Sequence, residues 1–394
     1  MNTLSKQKEL SKMTLIKELD PSIESRVVWF RHMQETQPVR YRPEYNLWEV
    51  FRYKDVQQVL LDYSSFSSEY SQPEGLPFVL GKSDPPHHRQ LRALVSKVFT
   101  PRRIEELTPS LSKIVDGLLE LVIARGKMNV VTELAYPLPV RVIIEMLGLP
   151  PADQERFRKW AYQLSGQSMG AWNPDHNELL YYFSDLLNKR KRDPRDDLIS
   201  ALLAAEENGA HLTRQEIIYM CLELMTAGNF TTTLLLSRVL SRFCQHPEIY
   251  QTLRDDPSLI SGAIEETLRY DFASLNVWRT ARHDTVLNGQ EIKAGQYVVA
   301  WTAAANFDEA SFPDASQFDI RRSPNPHLTF GHGIHVCLGA PLARLEGRIA
   351  LERIVTHFSE IRLDPENPVQ FMDQMAAAKV IQSLGILFTP VVSS

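Results

Sequence analysis

The segment from Thr213 to Gln245 constrains this chain more than any other. Thr213 followed three residues later by Glu216 makes a capping box. Apolar residues then recur at helical spacing until His246 and Pro247 stop the pattern. A helix of that length spans about 48 Å at 1.5 Å per residue, enough to cross a whole domain, so other elements must be arranged around it. Its middle goes against helix preference. Residues 226–233, TAGNFTTT, place a glycine, an asparagine and a run of three threonines in the interior, where each costs helix propensity.

The rest of the chain reads as mainly helical. Thr100 before Pro101 and Asp256 before Pro257 look like N-caps with proline at the first helical position, the second opening a helix that reaches Tyr270. A helix from Pro194 to Ala205 opens on acidic residues and closes near Gly209. Strand-like patches are few: Leu47 to Phe51, Gln296 to Trp301 and Ile386 to Val392. The 394 residues exceed the usual single-core limit, yet no repeat, low-complexity linker or Gly/Ser hinge divides them. The expectation is one domain over residues 1–394, mainly α with a small β region, with 1–25 as a partly disordered N-terminal extension.

A net charge of −5 gives no pull toward nucleic acid or an anionic membrane. The basic run Lys189–Arg192 is followed at once by Asp193, Asp196 and Asp197 and reads as a solvated helix end. The N-terminus lacks an apolar run suited to a signal peptide or membrane anchor, which places the protein in the cytoplasm. Cys221, Cys244 and Cys337 are too few, and wrongly spaced, for a disulfide framework or a zinc site.

The richest chemistry lies in HLTFGHGIHVCLGAPLARLEGRIALERI, residues 327–354. Cys337 sits where irregular backbone enters a helix, near the positive end of a helix dipole, which lowers a thiol pKa. Gly331, Gly333 and Gly339 permit tight turns and close approach of a flat ligand. This suits a metal-ligating thiolate. On spacing alone a buried structural cysteine remains open, as does a nucleophile with His332 or His335 as base.

Phe330, Gly333, His335, Cys337 and Gly339 match FxxGxHxCxG, which resembles the haem-binding signature of the cytochrome P450 family. Glu266 and Arg269 match that family's ExxR pair, and Arg322 falls where the family completes a buried trio. The resemblance covers about Pro38 to Val391. It implies the cytochrome P450 fold, with the long central helix crossing over haem b (iron protoporphyrin IX), in the style of the soluble bacterial haem-thiolate monooxygenases. Cys337 would ligate the iron. By the same resemblance, His88, Arg92, Arg279, His327 and His335 would meet the propionates, with Ala227, Phe330, Gly331 and Gly339 also against the cofactor. Glu266, Arg269 and Arg322 would form a structural network.

The same resemblance explains TAGNFTTT as the oxygen-binding motif. Gly228 would keep bulk from the distal face, a threonine hydroxyl would bend the helix by bonding a carbonyl one turn back, and Thr231 would help deliver protons, with Thr232 beside it. Phe230 stands where the family has an acid and cannot carry a proton. Asn229 with water would substitute, or the substrate's hydroxyl would assist, or the protein would use peroxide. The implied function is hydroxylation or epoxidation of a hydrophobic small molecule (lipid, terpenoid, steroid or polyketide-like) in secondary metabolism, using dioxygen and two electrons from a separate ferredoxin or flavodoxin with its reductase. The alternatives are a peroxide-dependent haem enzyme, a non-turnover haem-thiolate binder, or a haem-free cysteine hydrolase. The resemblance places the pocket at Phe78, Val79, Met225, Phe230, Ser274, Asn276, Val277, Val380 and Ile381, with residues 165–178 as a lid. Arg344 and Arg348 would add positive charge for the electron donor. A monomer is expected.

Overall fold

In a computed structural model that describes residues 22–70, 80–96, 99–157, 159–160, 177–207, 212–271, 275–372 and 380–391, Arg214–Gln245 is one unbroken helix of 32 residues. Thr213 and Glu216 close the capping box reciprocally, with Thr213 N donating to Glu216 Oε2 at 2.6 Å and Glu216 N to Thr213 Oγ1 at 3.2 Å. Leu235, Leu236, Val239, Leu240 and Phe243 of this helix are almost wholly buried. They share one apolar core with the helices Thr108–Ile123, Pro137–Met146, Ile260–Tyr270 and Ala340–His357.

Helix ends follow local chemistry where the cap is local. Thr100 accepts from Arg103 N as expected. Asp256 caps Ser258 N, but the first turn, Pro257–Leu259, is a 3₁₀ turn and the α-helix begins at Ile260. The expected helix from Pro194 starts instead at Leu198, because the Asp197 carboxylate accepts from Ser200 N at 2.8 Å and so caps the helix itself. The basic run also departs from expectation. Lys189 pairs with Asp185 in solvent, but Arg190 is buried and bonds Asp197 and the Gly148 carbonyl.

The β regions form separate sheets. A five-stranded sheet runs, in spatial order, Val39–Arg42, Leu47–Val50, Tyr297–Ala300, Val277–Ala281 and Phe66–Ser67. Leu47–Val50 and Tyr297–Ala300 pair in parallel, Leu47 opposite Tyr297. A second sheet orders Lys127–Asn129, Gly385–Pro390 and Phe358–Leu363. Phe30, Phe51 and Trp301 form an aromatic cluster under the first sheet, with Phe51 stacked on Trp301 at 5.9 Å. Among the described residues no helix is long and apolar enough to cross a membrane.

Candidate functional site

The cysteine loop is built by its own backbone. Gly331 N donates to Leu328 O at 2.9 Å and Cys337 N to Phe330 O at 2.8 Å, folding residues 328–337 back on themselves. Gly331 and Gly333 take φ of 73° and 72°, a region that side chains disfavour. Gly333 also presses on a neighbouring helix, since a Cβ there would lie 2.9 Å from the Leu60 carbonyl. Gly339 differs: its φ is −81° and an added Cβ would meet nothing within 4 Å. Neither turn geometry nor packing within the protein calls for glycine at 339, and the open face leaves room for a flat ligand. The helix Ala340–His357 begins at the next residue, with Pro341 in its first turn.

Cys337 is exposed at this loop, yet the expected lowering of its pKa is not found. Desolvation pushes the thiol up, outweighing the Gly339 and Ala340 amides and the Arg92 and Arg344 charges. A metal ion at the sulfur would work against that rise by favouring the thiolate. Cys221 is buried in the core, and its thiol is pushed up to about 12 by burial.

The central helix carries a second group of expected site residues. Ala227 and Thr231 are exposed halfway along it, between residues that are mostly buried. Four residues apart, they share one face. The Thr231 hydroxyl donates to Ala227 O at 2.6 Å, Thr226 to Leu222 O at 2.9 Å, and Thr233 to Asn229 O at 2.9 Å and Ala135 O at 3.1 Å. The polar run thus satisfies its hydroxyls on carbonyls one turn back, and the helix stays continuous. Gly228 lies against the helix Pro137–Met146, where a Cβ would come 3.0 Å from Ile143 Cδ1, so the missing side chain serves helix packing. Asn229 is two residues from both Ala227 and Thr231, about 200° round the helix. It is 1% exposed with both amide atoms unpartnered, and so is badly placed to relay protons with Thr231. Thr232 is likewise buried.

A third group gathers from distant segments: His88 and Arg92 on the helix His87–Val95, Arg279 on Val277–Ala281, and His335 from the cysteine loop. The rings of His88 and His335 lie 4.3 Å apart, and the Nε2 atom of each is buried without a hydrogen-bond partner. Arg279 is 5% exposed and donates to Trp278 O at 2.8 Å. Neither it nor Arg92 has a carboxylate within ion-pair distance among the described residues. Burial, with His335 and Arg92 alongside, pushes the His88 imidazole down to about 4. Convergent donors without an acceptor suit an anionic ligand.

His327 is engaged on one side only, its Nδ1 being buried without a hydrogen-bond partner. Its Nε2 lies 3.2 Å from Glu265 Oε2, and the same carboxylate takes Arg344 through two bonds of 2.7 and 2.8 Å. Burial would raise the Glu265 pKa, but Arg344 and His327 bring it down to about 2. Phe330 lies between these partners, with the Arg344 guanidinium 4.6 Å from its ring centroid. Arg348 pairs with Glu105 and Glu352. The positive charge expected of Arg344 and Arg348 is therefore largely neutralised.

The ExxR pair is wholly buried. Arg269 donates to both Glu266 oxygens at 2.7 and 2.8 Å and to the carbonyls of Asn306, Ala315 and Gln317. Glu266 also accepts from Asp319 N, Arg322 Nε at 3.3 Å and Asn325 Nδ2. Among expected pocket residues, Phe230 packs in one cluster with Val380 and Leu275, whereas Val277 borders another. Met225 and Ile381 are packing residues of the helical core. Asn276 is half-buried, and Phe78, Val79, Ser274 and residues 165–176 of the lid lie outside the described residues.

Two residues were missed by sequence reasoning. Glu265 stands directly beside Glu266, and only its turn to the opposite partner set reveals it. Asp84 opens the segment DPPHHRQLR, where a carboxylate before two prolines was the available signal. Among the described residues no group of three His, Cys, Asp or Glu side chains is placed to hold a metal ion. An iron bound to Cys337 would bring its other ligands with it, as a porphyrin does. The open Gly339 face and the unpartnered His88 and His335 nitrogens fit such a group and its propionates.

The cytochrome P450 family profile matches residues 176–388. The chain is 37% identical over 382 residues to cytochrome P450 YjiB of Bacillus subtilis (strain 168), covering 94% of this chain and 96% of that protein. It is 39% identical over 363 residues to the mycinamicin IV hydroxylase/epoxidase of Micromonospora griseorubida, covering 88% and 91%. The crystal structure of CYP109E1 from Bacillus megaterium in complex with testosterone matches with a TM-score of 0.83 at 33% identity, covering 93% of this chain and 99% of that one.

Proposed function

The chain belongs to the cytochrome P450 family and is a haem b monooxygenase; from that premise we propose that it hydroxylates or epoxidises a macrolide- or steroid-sized hydrophobic molecule in the cytoplasm. Electrons come from a separate ferredoxin or flavodoxin with its reductase. The observation that carries this reading is the convergence of His88, Arg92, Arg279 and His335, all without an anionic partner at ion-pair distance except the 3.6 Å approach of His335 to Asp84, beside the Cys337 loop. The substrate class draws support from the mycinamicin-oxidising relative and the testosterone-bound structure.

Haem b, when bound, supplies the iron at which dioxygen is reduced and one oxygen atom is inserted into substrate. Cys337 would hold that iron through its thiolate, an electron-rich ligand. Arg92 and Arg279 would neutralise the two propionates, and the unpartnered Nε2 atoms of His88 and His335 would be available to bond them. Thr231 spends its proton on Ala227 O and so presents oxygen lone pairs to the pocket. Turned away from that carbonyl, the Thr231 hydroxyl would be free to donate a hydrogen bond into the pocket, with solvent as the source of any proton passed on. Ala227, one turn away, leaves room for it. Phe230, packed with Leu275 and Val380, contributes an apolar wall that excludes water from the reacting carbon.

The test is reconstitution with haem, a surrogate ferredoxin and its reductase, and a panel of steroids and macrolides. We expect the red-shifted Soret band of a thiolate-ligated ferrous carbonyl, and NADPH-dependent products carrying one oxygen atom from labelled dioxygen. Cys337→Ser should abolish that band. A parent protein that takes up no haem, or one that turns over with peroxide alone, would overturn the reading.

A further inference from the structure

Asp84 belongs to none of the motifs above, yet four chain segments meet on it. It is 2% exposed. Its carboxylate accepts from the Ser67 hydroxyl, from Ser68 N at 3.2 Å and from the Arg282 guanidinium, and it faces His335 Nε2 at 3.6 Å. Its own amide donates to Glu69 Oε1 at 2.9 Å, and its carbonyl accepts from His88 N at 2.9 Å. One residue thus ties together the strand Phe66–Ser67, the residue following Val277–Ala281, the first turn of the helix bearing His88 and Arg92, and the cysteine loop.

The charges around it sort into two sets. Arg92 and Arg279 have no carboxylate at ion-pair distance among the described residues, which leaves two guanidinium charges for two propionates. Arg282, three residues beyond Arg279, is a third cation in the neighbourhood, but it is ion-paired with Asp84 and lies 3.9 Å from Glu69. Burial would raise the Asp84 pKa, but His335 alongside and the bonds from Ser67 and Arg282 hold it well below the usual carboxylate range, so the pairing charge is present at neutral pH.

We infer that Asp84 is a positioning residue of the propionate site: it anchors the His88 turn, aligns His335, and keeps Arg282 engaged away from the cofactor so that two arginines meet two carboxylates. This rests on the reading that haem is held by Cys337. Freed from Asp84, Arg282 would add positive charge beside the propionates and favour the reduced iron.

The experiment compares haem-loaded parent protein, Asp84→Asn, Arg282→Gln and the double variant. Three quantities are read: the haem midpoint potential, the rate of haem transfer to apomyoglobin, and the urea midpoint of the apoprotein. Asp84→Asn should raise the potential and speed haem loss by about tenfold, the scale seen when a residue supporting a cofactor ligand is removed. Arg282→Gln should lower the potential by leaving the Asp84 charge uncompensated, and the double variant should return near the parent value. An unchanged potential in Asp84→Asn, with only the urea midpoint lowered, would make Asp84 an ordinary structural residue and overturn the inference. If Asp84→Asn does not fold, Arg282→Gln decides alone, an unchanged potential again overturning the inference. A parent that never takes up haem defeats the premise, whereas a normal parent with indifferent variants defeats only the role of Asp84.

Discussion

Two buried arginine sites lie within this molecule, and they are finished to different degrees. At Arg269 the side-chain nitrogens all meet acceptors, and Glu266 is surrounded by donors from three segments. At Arg279 the guanidinium is as deeply buried but has one backbone carbonyl bond and no carboxylate at ion-pair distance among the described residues, and the neighbouring His88 and His335 each leave a buried nitrogen unpaired. Burying an unsatisfied polar group costs roughly 1–3 kcal/mol. A saturated network repays its desolvation within the protein, whereas an unsaturated one is completed by something that arrives later. The first is architecture and the second is a receptor.

That contrast can be broken by experiment, most forcefully at the saturated site. Arg269→Ala leaves Glu266 charged and buried, a loss of about 3–5 kcal/mol; urea unfolding should show little folded apoprotein, and Arg269→Lys should not rescue it because a point charge cannot reproduce the bidentate geometry. Arg279→Gln should behave differently. The apoprotein should keep its stability to within about 1 kcal/mol, since no carboxylate partner is orphaned, while haem loss accelerates by about tenfold. Equal destabilisation by the two substitutions would erase the distinction.

Glu346 extends the comparison to a buried carboxyl with an unpartnered Oε2, raised by burial from 4.5 to about 8. Between those values the folded state holds a proton that the unfolded state has released, so stability is full below the lower value and falls as pH rises through the upper one. Thermal unfolding of Glu346→Gln should lack that alkaline decline and exceed the parent at about pH 9. The smallest effect belongs to Thr231→Val. Its side chain is exposed, so stability should move by less than about 0.5 kcal/mol, while product formed per NADPH consumed falls.

Sequence reasoning succeeded where the determinants are short-range. The capping box at Thr213 and the cap at Thr100 involve residues three apart, and both appear as expected. The helix expected at Pro194 begins late because Asp197 is held by Arg190 from the preceding helix, a pairing that propensity cannot anticipate. Resemblance singled out the Glu266 network, which is seen as expected, whereas the tie of His327 Nε2 to Glu265, whose orientation depends on Arg344 in another helix, was not legible. Asn229 is a different case. Helical periodicity alone sets it opposite Thr231, and that arithmetic was available from the outset.

The contact between Gly333 and the Leu60 carbonyl has a bearing on the order of assembly. The cysteine loop lies near the end of the chain, and it rests on a helix, Tyr53–Leu61, made near the beginning. The loop therefore takes this seat only once segments far apart in sequence have come together, and loosening Tyr53–Leu61 would unsettle it.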